Sequence, residues 1–227
     1  MPALPFDVVA FDLDGTLADT APDLAEALNH ALAALGRPPV APASVRNLIG
    51  HGGRALLRRG LAASGDSSEA LVEQGYPILL EHYAAHICDG TRPFPGLEEA
   101  LDSVAGAGAA LAVCTNKAEA LAAKLIGALG WGDRFAAVVG GDTLAVRKPD
   151  PAPLLEAIAR AGGGRAALVG DSIVDAETAR AAGLPFVAVS FGYSDRPVEA
   201  LGADAVIADY RDLRRTLERL AERPGLL

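Results

Sequence analysis

Six short apolar runs recur along the chain, at residues 6–11, 109–114, 136–140, 166–170, 186–190 and 205–208. Each is followed by a stretch with helical spacing. The runs are continuous rather than alternating, which is the pattern of strands buried on both faces. Strand and helix in alternation predict an α/β fold: a Rossmann-like, doubly wound parallel sheet covered by helices. In such sheets ligands bind beyond the carboxyl ends of the strands.

One interval departs from the alternation. Between residues 19 and 88 the pattern is helical throughout. Leu24, Leu28, Ala31, Leu32 and Leu35 share one helix face, and Gly36 with Pro38 and Pro39 ends that helix. A second helix is predicted over 44–49. A third follows Gly52 and Gly53 and carries Leu56, Leu57 and Leu61, and a fourth spans about 67–87. The expected organisation is a core of residues 1–18 and 90–227 with an inserted helical cap at 19–89. Segments 16–20 and 89–95 would form the hinges, the second being rich in Gly and Pro.

An apolar fraction of 51% over 227 residues is ample for a core of this size. A net charge of -9 argues against a nucleic-acid surface, where a basic patch is expected. Two cysteines do not make a disulfide framework, and Cys114, at the end of an apolar run, reads as core. The segment at residues 1–5 lacks the basic and apolar parts of a secretion signal, and no run reaches the length of a membrane span. The expectation is a cytoplasmic protein with no nucleic-acid or membrane partner, as a monomer or a homodimer.

Chemistry concentrates just past the predicted strands. Asp12 and Asp14 follow the first, two residues apart, so in extended chain they point the same way. Paired carboxylates call for a cation or a shared proton. Thr115, Asn116 and Lys117 follow the run ending at Cys114. Lys148 and Pro149 precede a helix, and Asp171 and Asp175 follow the run ending at Gly170. A parallel sheet brings these to one edge. Acidic oxygens suit Mg²⁺. Lys148 and the backbone N–H groups around 115–117 suit an anion. Together they suit a phosphoryl group, whose transfer depends on positioning and charge neutralisation. The glycine-rich Lys-Ser/Thr loop of nucleoside triphosphatases is absent from the sequence.

Asp12-Leu13-Asp14-Gly15-Thr16, Thr115-Asn116, Lys148-Pro149 and Gly170-Asp171-Ser172-Ile173-Val174-Asp175 resemble, in order and spacing, the four signatures of the haloacid dehalogenase superfamily. The segments at 19–24, 148–155 and 191–193 resemble its phosphoglycolate phosphatase group. The resemblance implies Mg²⁺-dependent hydrolysis of a small phosphorylated metabolite, 2-phosphoglycolate first among them. Asp12 would be the nucleophile and Asp14 the acid and base. The metal would sit on Asp12, Asp171 and the main-chain carbonyl of Asp14, with Asp175 orienting a bound water or Lys148. Thr115, Asn116 and Lys148 would hold the phosphoryl oxygens. The dehalogenase branch lacks the second acid, so Asp14 favours phosphatase or mutase chemistry. A β-phosphoglucomutase-like sugar phosphomutase, a pyrophosphatase and a nucleotidase share the same core, and a receiver domain is the non-enzyme alternative. In the resemblance a cap loop reads the leaving group; here that is Gly50 to Arg54, with Gly53 allowing close approach and Arg54 pairing with a substrate carboxylate. Lys117 reads as a solvated helix residue.

Overall fold

The computed structural model describes residues 4–65, 67–194 and 196–221. Residues 1–3 of the N-terminal segment lie outside these. The elements in chain order are β1 (Val8–Phe11), β2 (Ala18–Asp19), α1 (Ala21–Ala34), α2 (Pro42–Val45), α3 (Gly53–Ala63), α4 (Glu69–Ala85), β3 (Arg92–Pro93), α5 (Leu97–Ala105) and β4 (Ala110–Cys114). There follow α6 (Glu119–Ala128), β5 (Ala137–Val139), α7 (Ala152–Arg160), β6 (Ala166–Gly170), α8 (Ile173–Ala182), β7 (Phe186–Val189), β8 (Ala205–Ile207) and α9 (Leu213–Ala221).

The main sheet has six strands in the order β5-β4-β1-β6-β7-β8, all parallel. Its central strand β1 shows why the run is apolar at every position. Val9 and Phe11 pack into one cluster with α5, α6 and α9, while Val8 and Ala10 pack into another with α7 and α8. Each side chain of a two-faced sheet meets helix, so alternation disappears. Register aligns the strand ends: Phe11 pairs with Val113 on β4 and with Val169 on β6. Asp12 therefore stands level with the ends of both neighbours.

Helices α1 to α4 lie between β2 and β3 in the chain and pack on one another through Leu28, Leu32, Leu57, Leu61, Val72 and Leu79, all buried. The helix expected over 44–49 is instead α2 followed by a single 3-10 turn at Arg46–Leu48. Pro42 starts it early, and extended Ile49 before left-handed Gly50 (φ 103°) stops it. Among the described residues no helix is long and apolar enough to cross a membrane.

The two expected hinge segments pair with each other, which the sequence pattern did not predict. Ala18 and Asp19 of β2 run antiparallel to Arg92 and Pro93 of β3. Beside this pair Asp23 is buried and accepts three hydrogen bonds, from Gly90 N at 2.7 Å, Thr91 N at 2.9 Å and Thr91 Oγ1 at 2.6 Å. Asp23→Ala leaves these donors without an anionic acceptor and is expected to cost about 2–4 kcal/mol. Thermal denaturation checks this; an unchanged midpoint would show that the β2–β3 pair holds without the clamp.

Candidate active site

The site is built where β1, β4 and β6 end. Asp12 follows β1 directly. Its N–H continues the sheet by donating to Val169 O, and its Oδ1 accepts from Leu13 N at 2.7 Å. Asp171 follows β6 and accepts from Thr16 Oγ1 at 2.9 Å and from Tyr193 N at 2.6 Å. Asp175 lies in the first turn of α8, where Ser172 and Asp175 form a reciprocal capping box. Carboxylate oxygens of Asp12, Asp171 and Asp175 all come within 4.8 Å of one another, and all three residues are buried.

Gly15 makes this crowding possible. Its φ of 80° closes the turn after Asp14, and a Cβ there would lie 2.5 Å from Asp171 Oδ2. Only glycine combines that backbone conformation with so close an approach.

Lys148 reaches the cluster from the loop before α7. Its Nζ lies 2.6 Å from Asp175 Oδ1 and 3.1 Å from Asp12 Oδ1, and the residue is 2% exposed. Burial opposes its charge, but Asp12 and Asp175 outweigh that effect and hold the ammonium above its ordinary range. One ammonium does not balance three carboxylates. Burial pushes Asp12 up from 3.8 to about 6; Lys148 pulls it down, while Asp175 and Asp14 push it further up. Burial, then Asp175 and Asp12, drive Asp171 well above its ordinary range against its two hydrogen-bond donors. An uncompensated set of hard oxygen donors fits a divalent cation. The Asp175 oxygens accept three hydrogen bonds, from Lys148 and twice from Ser172, whereas each Asp171 oxygen accepts one, so Asp12 and Asp171 are the less engaged ligands.

Asp14 stands apart from that cluster. Its Oδ1 accepts from Thr20 Oγ1 at 2.7 Å and lies 3.0 Å from Lys117 Nζ. This corrects the expectation for Lys117: the residue is buried rather than solvated, and it also bonds the Tyr83 hydroxyl of α4 at 2.9 Å. The sequence offered one cue, its place three residues past a strand end and two past Thr115. Spacing alone could not show that Tyr83, 34 positions away, would cover it.

Thr115, Asn116, Gly53 and Arg54 all line the same cavity, and the side chains of Asn116 and Arg54 also bond within the protein. Asn116 Nδ2 donates to Gly50 O at 3.3 Å and to Lys148 O at 3.1 Å, tying two loops together. Its remaining atom, Oδ1, is a buried acceptor with no hydrogen-bond partner among the described residues, which repels an anion. Thr115 N donates to Val139 O and Lys117 N to Thr115 Oγ1, so these two N–H groups do not face a ligand. Arg54 makes a two-pronged pair with Glu73 at 2.5 and 3.0 Å and lies over the Tyr76 ring. Its fork is engaged by protein, and Gly53 opens α3 against the Tyr76 ring.

A cavity of about 200 Å³ unites these parts. Asp12, Asp14, Thr115 and Lys117 line it from the sheet edge, and Leu56, Tyr76, Leu79 and Tyr83 line it from α3 and α4. Polar groups from the sheet edge thus face apolar side chains from the helices across one chamber of mixed lining, a form common to small-molecule sites.

A sequence profile of haloacid dehalogenase-like hydrolases matches residues 9–189. A phosphoglycolate phosphatase of Mesorhizobium japonicum is 49% identical over 222 residues, covering 96% of this chain and 98% of that one. Another, of Caulobacter vibrioides, is 47% identical over 90% of this chain and 88% of its own. A crystal structure described as a predicted phosphoglycolate phosphatase from Haemophilus somnus superposes with a TM-score of 0.87 at 29% identity, covering 93% of this chain and 97% of that one.

Proposed function

The chain belongs to the haloacid dehalogenase-like hydrolase family and is a phosphatase; on that premise we propose that it hydrolyses a small phosphorylated acid, 2-phosphoglycolate, through a phosphorylated Asp12. The single observation that carries this reading is the division of labour between two carboxylates two residues apart. Asp12 sits in a crowded, desolvated cluster with Lys148, while Asp14 turns away to the cavity beside Lys117 and Thr20.

In the first step a carboxylate oxygen of Asp12 forms a bond to phosphorus as the bond from phosphorus to the leaving oxygen breaks. Asp14 gives its proton to that leaving oxygen, and glycolate departs. In the second step Asp14 takes a proton from water, whose oxygen attacks phosphorus. The bond to Asp12 breaks, and inorganic phosphate is released. Lys148 balances charge on Asp12 and on the phosphoryl oxygens. Asp175 holds Lys148 in place. Thr115 lines the phosphoryl end of the cavity. A divalent cation held by Asp12, Asp171 and the Asp14 carbonyl, with Mg²⁺ suited to such oxygens, would supply further charge neutralisation and a template. Leu56, Tyr76, Leu79 and Tyr83 of α3 and α4 cover the helical side of the chamber.

Phosphate release from a set of small esters in Mg²⁺ tests the reading. 2-Phosphoglycolate is expected to be turned over with the highest kcat/KM among 2-phosphoglycolate, glucose 1-phosphate, pyrophosphate and a nucleoside monophosphate. Conversion of glucose 1-phosphate to glucose 6-phosphate in the presence of a bisphosphate primer would replace it with a mutase.

A further inference from the structure

Lys117 takes no part in the steps above, yet its ammonium is buried on the cavity wall. It meets two oxygens among the described residues, Asp14 Oδ1 at 3.0 Å and the Tyr83 hydroxyl at 2.9 Å. An ammonium has three N–H donors. We propose that the third serves the substrate, and that Lys117 is the residue that reads the carboxylate of the leaving group. The inference rests on the small-acid substrate proposed above and names the group that selects it.

The geometry follows from Asp14. To protonate the leaving oxygen, Asp14 must lie about 2.7 Å from it. In a two-carbon phospho-acid only two covalent bonds separate that oxygen from the carboxyl carbon, so the carboxylate oxygens lie roughly 2.7–3.6 Å from it. Lys117 and the carboxylate are thus both neighbours of one contact, Asp14 with the leaving oxygen. The other nearby cations are placed less well. Lys148 is held between Asp12 and Asp175, and Arg54 is held by Glu73. Arg147 also lines the cavity but is exposed on its loop.

Burial sharpens the discrimination. A buried ammonium with one N–H left unmet loses more than a solvated one, so a substrate lacking the carboxylate is rejected. Tyr83 comes from α4 and Lys117 from the turn before α6, so the reader is complete only with the helical segment seated on the sheet edge.

The test compares 2-phosphoglycolate with ethyl phosphate, which has a methyl group in place of the carboxylate. In the wild type kcat/KM favours 2-phosphoglycolate, and Lys117→Met lowers that ratio by about 100-fold, whatever loss the two esters share. An equal loss for both esters overturns the proposal, since Lys117 would then serve Asp14 alone. A ratio that falls in Arg147→Ala and not in Lys117→Met assigns the carboxylate to Arg147 and also overturns it. Calorimetric binding of 3-phosphonopropionate against propylphosphonate needs no turnover, and Lys117→Gln, which keeps a polar group beside Asp14, must lose the preference there too. A wild type without any preference removes the substrate reading and the proposal together; a wild-type preference that survives in the Lys117 variants removes the proposal alone.

Discussion

Asp12→Asn is expected to lower phosphate release by at least about 10⁴-fold, because an amide cannot form the phosphorylated intermediate on which both steps depend. The same substitution should make the metal-free protein more stable. Asp12 is pushed from 3.8 to about 6 by burial and by its acidic neighbours, so its ionised form costs the fold about 3 kcal/mol at neutral pH. Asn keeps an acceptor for Leu13 N–H and removes that charge, and Lys148 retains Asp175 at 2.6 Å. A rise in melting midpoint of roughly 6–12 °C, with activity gone, is the expected pair of results. Turnover that persists would remove Asp12 from the chemistry. A fall in stability would make Asp12 a structural residue.

The second large effect concerns the acidic cluster as a whole. Asp12 holds its proton more tightly in the folded protein than in the unfolded chain, whose carboxyl group keeps the ordinary value of 3.8. Between about pH 4 and 6 the folded state therefore retains a proton that the unfolded state has released. Stability of the metal-free protein falls as pH rises through that window and stays lower above it. Asp171 acts in the same direction. Asp209, pushed down to about 2 by its hydrogen bonds to Arg211, acts in the opposite sense at lower pH. A divalent cation should reverse the loss by supplying the charge that Lys148 alone does not. At a hundredfold excess over its dissociation constant, Mg²⁺ should stabilise by about 2.7 kcal/mol, seen as a rise of roughly 5–10 °C at pH 7.5 after chelator treatment. Identical midpoints with and without the cation would show that the cluster does not bind it. In Asp12→Asn the decline between pH 4 and 6 should shrink, which separates this site from the surface carboxylates.

Much of this site was legible in the chain. Continuous apolar runs identified the strands because every side chain of a strand covered on both faces is buried. A parallel sheet aligns its strand ends, so the residues that follow them share an edge. Asp12, Thr115 and Asp171 could be grouped for that reason alone. Three of the four helices between β2 and β3 were legible from period and punctuation; the one expected over 44–49 is a shorter helix and a 3-10 turn. The β2–β3 pair was not, because two-residue strands carry no period, and Asp23 gave no sign that its partners lay 67 and 68 positions away.

Side-chain partners were the part that pattern could not supply. Arg54 is on the loop where a reader of the leaving group was expected, but Glu73 on α4 occupies its fork. Asn116 follows a strand end as a phosphate ligand should, yet its amide ties Gly50 to Lys148. Lys117 looked like a surface residue until Tyr83 and Asp14 closed around it. The sequence by itself determined which backbone positions end strands and so share an edge, since strand ends follow from local burial and period; the strand order came from the structure. Only the tertiary structure decided which charges face the substrate, because a hydrogen bond or ion pair depends on which groups the packing of distant helices leaves within about 3 Å of one another.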